Sequence, residues 1–379
     1  MAMKLDWDVF CTVVDNFGDI GICWRVARQL AGEQGQLVRL FVDDLETFHQ
    51  ICPAIDASLD AQVVDGVEIR RWTRDLSETR PARVVVEAFA CRVPERYLMA
   101  MAGRTPKPVW INLEYFSAEA WVRENHGLRS PHPRLPLTQY FFIPGMGPGT
   151  GGLLGSPAEL QALAAFQADA EATQAFWKEH GAAGSQTPRL SLFAYGNPAI
   201  PGLIEALRQA GQPHQLLASE GKSLAQVAAG LGVAGLKAGD RCIQGSLSVS
   251  VLPFMPQERY DRLLWACDVN FVRGEDSFIR AQHAGRPLVW QAYVQEDGAQ
   301  WPKLEAFLGQ YAQGLSQPAE NALREAWRVW NGGEDRPQAW ADWLAHLPEY
   351  RNQARAWAGK LLAWPNLVEN LVKFAVSKV

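Results

Sequence analysis

The most constraining feature of this sequence is an alternation of short, largely apolar segments with longer segments of helical periodicity, which runs twice along the chain. Strand segments that are apolar throughout are typical of a parallel sheet covered by helices on both faces. The pattern predicts strands at 8–14, 37–42, 84–88, 109–113 and 139–143, and again at 190–195, 215–218, 247–252, 269–272 and 287–291. It predicts helices at 20–30, 159–178, 200–209, 224–230, 257–266, 277–284, 306–313, 319–330, 339–359 and 367–376.

A polar stretch rich in small residues, at 180–189, separates the two halves. Two βα-repeating halves joined by one linker predict two doubly wound α/β domains that face each other. We place these domains at 1–184 and 185–362, followed by a final helix at 363–379 that packs back on the first domain. Ligands of open α/β sheets bind beyond the carboxyl ends of the strands, so the site is expected on strand-to-helix turns in the cleft between the domains.

Composition excludes several classes of protein. The net charge of −5 over 379 residues argues against a non-specific nucleic-acid binder, which needs a basic surface. Six cysteines without CxxC spacing predict free thiols in a reducing compartment. No signal peptide and no apolar run long enough for a membrane span are evident, which predicts a soluble cytoplasmic protein. The seven histidines are dispersed and GxSxG and P-loop motifs are absent, so no metal site, hydrolase triad or P-loop kinase is expected.

The turn after the first predicted strand contains two carboxylates, Asp15 and Asp19, on either side of a glycine. Near a helix N-terminus the helix dipole favours their ionised form. Ionised carboxylates can accept a proton or bind a guanidinium through two hydrogen bonds. The alternative is purely local: Asp19 caps the helix and Asp15 is an Asx-turn residue.

A second turn, at 273–277, combines Arg273 with the start of a helix at Glu275, Asp276 and Ser277. Backbone amides at a helix start, a hydroxyl and a guanidinium together make an anion site that can hold a diphosphate without a divalent metal. Glu275 is costly beside such an anion unless it binds something else, and ribose or sugar hydroxyls are natural partners. The alternative is an ordinary capping box.

Aromatic residues follow two further strands of the second half. Phe193 and Tyr195 lie on a glycine-containing turn, and Phe254 precedes Gln257 at another strand end. An aromatic ring and an amide can stack on a nucleotide base and hydrogen-bond its edge. Core packing is the alternative for each of these residues.

The glycines Gly147, Gly149 and Gly152 match the spacing of a dinucleotide-binding fingerprint, which would indicate a nicotinamide-dependent oxidoreductase. Pro144 and Pro148 stiffen this segment, and no acidic strand end follows about 20 residues later. We therefore expect the segment at 144–152 to close flexibly over an anion or an acceptor.

Several of these motifs together resemble one bacterial family. They are CTVVDNFGDIGICWR at 11–25, INLEY at 111–115, GGLL at 151–154, FAY at 193–195 and RGEDS at 273–277. Over essentially its whole length the chain is similar to the protein-arginine rhamnosyltransferases that modify translation elongation factor P (the EarP family). The resemblance implies an α/β GT-B glycosyltransferase fold, with two Rossmann-like domains and an inter-domain cleft.

The resemblance also implies an activity. L-Rhamnose passes from dTDP-β-L-rhamnose to an arginine of elongation factor P with inversion and without a metal or cofactor, which activates the factor for rescue of ribosomes stalled at polyproline. The donor would bind the domain at 185–362 and the protein acceptor the domain at 1–184. Residues 114–121 are candidates for the docking surface, and a solvated strand end is the alternative for them. No nucleic-acid or membrane partner is implied.

Carried over by motif, the resemblance makes Asp15, Asp19 and Glu275 catalytic. It places a nucleotide and diphosphate site at Phe193, Tyr195, Phe254, Gln257, Arg273, Asp276 and Ser277, with Tyr293 as a further member. We expect Asp19 to be the base and Asp15 to orient the acceptor, although the two roles could be exchanged. The alternative function is a non-catalytic GT-B-like binding module for elongation factor P.

Overall fold

A computed structural model of the protein describes residues 3–14, 17–73, 76, 79–180, 187–293, 298–333, 336 and 338–379. The chain divides into two compact units, Met1–Ser156 with Ala363–Val379, and Pro157–Leu362. All six cysteines are free thiols, as the sequence predicts. Among the described residues, no helix has the length and apolarity needed to cross a bilayer.

Up to residue 156 the chain alternates strands with helices. The elements are β1 (Asp6–Cys11), α1 (Gly18–Gly32), β2 (Leu37–Val42), α2 (Leu45–Ile51), β3 (Ala61–Val64), β4 (Val67–Arg71), β5 (Val84–Ala88), α3 (Glu95–Gly103), β6 (Val109–Leu113), α4 (Trp121–Asn125), β7 (Arg129–Pro131) and β8 (Thr138–Phe142).

From residue 157 onward the alternation restarts and then gives way to helices. The elements are α5 (Pro157–Ala168), α6 (Ala170–Glu179), β9 (Arg189–Leu192), α7 (Ile200–Gln209), β10 (His214–Ser219), α8 (Leu224–Leu231), β11 (Arg241–Gln244), β12 (Leu247–Leu252), α9 (Gln257–Ala266), β13 (Val269–Arg273), α10 (Asp276–His283), β14 (Leu288–Gln291), α11 (Gln300–Tyr311), α12 (Gln317–Trp330), α13 (Gln338–Ala345), α14 (Leu347–Leu362) and α15 (Leu367–Val376).

The first unit is built on an eight-stranded sheet of order β3-β4-β2-β1-β5-β6-β8-β7. Its six inner strands, from β4 to β8, are parallel, and the edge strands β3 and β7 are antiparallel to their neighbours. The four central strands, β2, β1, β5 and β6, are buried along most of their length, which explains their apolar sequences. Strand order reverses between β1 and β5, so this sheet has its topological switch point there.

The second unit repeats this arrangement with a six-stranded sheet of order β11-β12-β10-β9-β13-β14. Only β11 is antiparallel to its neighbour among these strands. The switch point lies between β9 and β13. The two sheets confirm the predicted pair of doubly wound α/β domains.

Tryptophans of α12 and α13 pack against the sheet of the second unit. The ring of Phe271 on β13 lies 4.9 Å from Trp330, 5.8 Å from Trp340 and 5.9 Å from Trp343 between ring centroids. All of these side chains are buried. The C-terminal helices α12 and α13 therefore cover the sheet mainly through aromatic contacts.

The predicted boundary at 184 lies too late in the chain. Helices α5 and α6 belong to the second unit, where Arg280 on α10 pairs with Glu159 at 2.8 Å and Gln167 donates to the carbonyl of Ala284 at 2.9 Å. The contact with Arg280 is a partly buried ion pair, which spacing in the sequence does not reveal. Most of the predicted linker at 180–189 lies outside the described residues.

Two predicted helices are each divided in the structure. The segment at 159–178 breaks at Asp169, whose carboxylate caps α6 by accepting from the amide of Ala172 at 2.9 Å. The segment at 339–359 breaks at His346, next to Pro348, which lacks the N–H that a continuous helix needs. Helix α15 lies in the first unit, where Leu367, Val368 and Leu371 join its buried core.

Candidate functional site

In the second unit, the turns after β9 and β13 meet at the switch point. The guanidinium carbon of Arg273 lies 4.4 Å from the ring centroid of Phe193 and 4.4 Å from that of Tyr195. A cation over an aromatic face is attracted by the ring quadrupole. Arg273 thus joins two turns that are almost 80 residues apart in the chain, at the edge where open sheets of this kind bind ligands.

Helix α10 begins at the same edge. The N-cap residue of this helix is Glu275, whose side chain makes no capping hydrogen bond to the backbone amides of the first turn. The Ser277 hydroxyl donates to the carbonyl of Arg273, and Asp276 accepts from the Gln257 amide at 2.9 Å. The N-cap side chain therefore does not form the capping box that was the alternative for this turn, and Gln257, at the start of α9, hydrogen-bonds to the first residue of α10.

Glu275 faces a cation that sequence reasoning missed. Its carboxylate lies 4.0 Å from the ammonium of Lys303 on α11. This contact offsets part of the negative charge that Glu275 brings to the start of α10. Lys303 belongs to no recognisable motif, so only its spatial position identifies it.

Two further predicted donor residues, Tyr293 and Phe254, carry exposed aromatic rings. Tyr293 is 61% exposed, and its ring centroid is 5.8 Å from that of Tyr195 in an edge-to-face arrangement. The backbone amide of Tyr195 donates to the Gln291 side chain at 2.8 Å. Phe254 follows β12 with 36% of its surface exposed. Exposed aromatic rings beside a cation are suited to holding the base and sugar of a nucleotide.

In the first unit, Asp19 lies in the first turn of α1, after β1 at the switch point. It is not the helix cap, because the N-cap residue is Phe17. Its carboxylate is buried and accepts from the Val14 amide at 2.9 Å and from the Tyr115 hydroxyl at 2.8 Å. These two donors set the direction of the carboxylate. Asp15 falls outside the described residues.

A second feature of this switch point is the loop after β5, which sequence patterns did not single out. Phe89, Ala90 and Arg92 all have left-handed backbone angles, with φ of +55°, +52° and +61°. The ring of Phe89 stacks on that of Tyr115, with centroids 4.2 Å apart and planes at 9°. Left-handed backbone angles are uncommon for residues other than glycine. Their clustering in the structure, rather than a sequence pattern, marks this loop as a candidate functional feature.

Glu87, the penultimate residue of β5, holds that loop through a hydrogen bond to its backbone. Its carboxylate accepts from the Arg92 amide at 2.8 Å, the Trp110 indole at 3.1 Å and the Gln139 amide at 2.8 Å. Burial raises the pKa of Glu87 above its ordinary value. A buried carboxylate with three donors is a structural anchor rather than a group poised to meet a substrate.

The glycine-rich segment at 144–152 does not form the predicted flexible closure. It is largely buried and folds back on itself, because Gly145 donates to the carbonyl of Gly152 at 3.1 Å and Gly151 donates to Ile143 at 2.8 Å. A side chain at Gly152 would collide with the carbonyl of Pro365, just before α15. These glycines allow close packing against the C-terminal segment. They do not open a helix as a dinucleotide site requires, because the next helix, α5, begins only at Pro157 and belongs to the second unit.

The two switch points thus differ in chemistry. One presents an oriented carboxylate, which suits proton acceptance or guanidinium binding. The other presents a guanidinium, a helix N-terminus and exposed aromatic rings, which suit a nucleoside diphosphate. Among the described residues, no group of three or more His, Cys, Asp or Glu side chains is arranged to hold a metal ion.

The chain is similar to one family of known proteins along nearly its whole length. The family model described as elongation-factor P (EF-P) rhamnosyltransferase EarP matches residues 7–376. A protein-arginine rhamnosyltransferase of Pseudomonas putida is 48% identical over 375 residues, which cover 98% of this chain and 99% of that protein.

Solved structures show the same relationship. One described as "Structural basis for EarP-mediated arginine glycosylation of translation elongation factor EF-P" is 35% identical, covers 99% of this chain and 100% of its own, and superposes with a TM-score of 0.71. The MurG structure of Acinetobacter baumannii, at 14% identity and a TM-score of 0.50 over 99% of this chain and all of that one, shares the GT-B fold. The chain therefore belongs to the EarP family of protein-arginine rhamnosyltransferases.

Proposed function

We propose that this protein transfers L-rhamnose from dTDP-β-L-rhamnose to an arginine side chain of translation elongation factor P, with inversion and without a metal. The observation that carries the proposal is the pairing of chemistries at the two switch points, an oriented Asp19 carboxylate in one unit and a diphosphate-type site around Arg273 in the other. Because the acceptor is a translation factor, the reaction belongs in the cytoplasm.

On the donor side, each group has a distinct task. Arg273 and the amides at Asp276 and Ser277 hold the diphosphate and stabilise the charge that grows on it as it leaves. The remaining members of the site bind the nucleoside, namely Phe193, Tyr195, Phe254, Gln257 and Tyr293. Glu275 binds a hydroxyl of the rhamnose or the ribose, and Lys303 limits its repulsion of the diphosphate.

On the acceptor side, the difficulty is that a guanidinium, with a pKa above about 12, stays protonated and is a poor nucleophile. Carboxylates at Asp15 and Asp19 would orient it through paired hydrogen bonds. The Val14 amide donates to one oxygen of Asp19 and the Tyr115 hydroxyl donates to the other, and these donors orient the carboxylate for that task.

The proposed reaction is a single displacement. A guanidinium nitrogen forms a bond to the anomeric carbon on the face opposite the diphosphate, and the bond from that carbon to the diphosphate oxygen breaks. The diphosphate leaves with the electron pair, and the nitrogen loses one proton to Asp19. One displacement inverts the anomeric configuration and forms no glycosyl-enzyme intermediate.

The test is the intact mass of elongation factor P after incubation with this protein and dTDP-β-L-rhamnose. We expect a gain of one rhamnosyl group on one arginine, and none when that arginine is replaced by lysine. The Asp19→Asn variant should still bind dTDP-β-L-rhamnose but transfer at least about 10²-fold more slowly. An unmodified acceptor with wild-type protein would refute the transfer. Wild-type rates in Asp19→Asn would refute the base assignment.

A further inference from the structure

We propose that Tyr115 is a positioning residue, which holds the Asp19 carboxylate in the orientation that proton transfer requires. The inference rests on the proposed function, in which Asp19 accepts the proton. Tyr115 lies two residues after the end of β6, and β6 is two strands away from β1, which precedes the helix that contains Asp19. The two residues are 96 positions apart and meet only because the sheet order places these strand ends near each other.

The first argument is the geometry at the carboxylate. The Tyr115 hydroxyl donates to Oδ1 of Asp19 at 2.8 Å, and the Val14 amide donates to Oδ2 at 2.9 Å. One donor at each oxygen restricts rotation of the carboxylate about its bond to the side chain. Asp19 is only 1% exposed, so bulk water does not readily replace a lost donor.

The second argument is that Tyr115 is itself held in place. Its ring stacks on Phe89 with planes at 9°, and Phe89 has a left-handed φ of +55°. The same backbone region holds Ala90 and Arg92. Residues in sparsely populated backbone regions persist only where the surrounding structure enforces them, and such strain clusters at functional sites.

The third argument is that three hydrogen bonds from backbone amides hold this strained loop in its conformation. Phe89 donates its amide to the carbonyl of Leu113 at 2.8 Å. The amide of Ala90 donates to the Asn112 side chain at 3.1 Å, and the amide of Arg92 donates to the buried Glu87 at 2.8 Å. All of these acceptors lie in β5 or β6, so the ends of two central strands hold the loop that contains Phe89. Phe89 in turn stacks on Tyr115.

Positioning of this kind predicts a specific kinetic signature. An orientation error at the base slows the chemical step far more than it changes the binding of donor and acceptor. A hydrogen bond to a charged group is worth enough to change the rate of such a step about 10- to 100-fold.

The experiment compares Tyr115→Phe with wild type in rhamnose transfer to elongation factor P. The variant keeps the ring that stacks on Phe89 and removes the hydroxyl. We expect kcat to fall about 10- to 100-fold, with the KM of dTDP-β-L-rhamnose, the KM of the acceptor and the thermal midpoint all near the wild-type values. Tyr140→Phe, on β8 of the same sheet, is the matched control and should keep wild-type kcat.

A second pair of variants tests the stacking contact. Phe89→Leu removes the flat ring beneath Tyr115 and should lower kcat, while Phe89→Tyr keeps the ring and should restore most of it. An unchanged kcat in Tyr115→Phe would overturn the proposal. So would a raised acceptor KM with normal kcat, because that result would make Tyr115 a docking residue. If wild-type protein transfers no rhamnose, the proposed function itself fails, which is a separate outcome.

Discussion

Replacing Arg273 by lysine is expected to weaken donor binding even though the positive charge is kept. The guanidinium carbon lies 4.4 Å from the ring centroid of Phe193 and 4.4 Å from that of Tyr195. A planar guanidinium stacks on aromatic faces, whereas an ammonium is a compact and strongly hydrated charge. Lysine therefore gives up at least one ring contact, and the two turns lose the group that joins them.

The magnitude follows from these two contacts. A cation–π contact is worth about 0.5–1 kcal/mol at an exposed site and about 2 kcal/mol when it is desolvated. Arg273 is partly buried, so the two contacts together should contribute about 1–2 kcal/mol to the arrangement that binds the donor. Because about 1.4 kcal/mol corresponds to a tenfold change, we expect the Kd of the donor to rise about 5- to 30-fold.

Calorimetric titration with dTDP and with dTDP-β-L-rhamnose measures this change. Both ligands should weaken by the same factor, because the diphosphate is common to them. Arg324→Lys is the matched control, since Arg324 on α12 makes surface ion pairs with Glu305 and Glu320. Equal affinities for Arg273→Lys and wild type would refute the reasoning. A loss confined to dTDP-β-L-rhamnose would instead place Arg273 at the sugar.

Three further changes test other parts of the structure. Lys303→Met should raise the Kd of the donor about 3- to 10-fold, because it removes the ammonium 4.0 Å from Glu275. Lys303→Arg should keep near wild-type binding, and an unchanged Kd for Lys303→Met in calorimetric titration would contradict the prediction. Gly152→Ala should lower the thermal midpoint by several degrees, because its Cβ would collide with Pro365, and an unchanged midpoint in calorimetric scans would disprove the close packing. Asn366→Ala should cost about 1 kcal/mol of unfolding free energy in urea, because this side chain caps α15 by accepting from two backbone amides; Asn366→Asp should cost less.

Much of the fold and the position of the candidate site could be predicted from the sequence. Apolar strand segments and helical periodicity are local properties, so they reveal two βα-repeating units without knowledge of any contact. The RGEDS motif is also local, and it correctly locates the start of α10 beside Arg273. Short strands at sheet edges were missed, because β3, β7 and β11 are only three or four residues long and largely exposed.

Other features depend on residues that are distant in the sequence. The 144–152 segment reads as a flexible loop until Pro365, more than 200 positions later, packs against Gly152. The linker boundary likewise depends on the ion pair between Glu159 and Arg280. Such contacts carry no local signal, because each partner taken alone matches an ordinary loop or surface residue.

The sequence by itself determined the class of fold, the family and the residue types at both switch points. The class of fold follows from local periodicity, and the other two follow from contiguous motifs. Tertiary structure alone decided which side chains act together: Tyr115 with Asp19, Lys303 with Glu275, and Arg273 between two rings. The physical reason is strand order. Parallel strands that are neighbours in a sheet need not be neighbours in the chain, so the partners at a sheet edge are set only once the whole sheet has assembled.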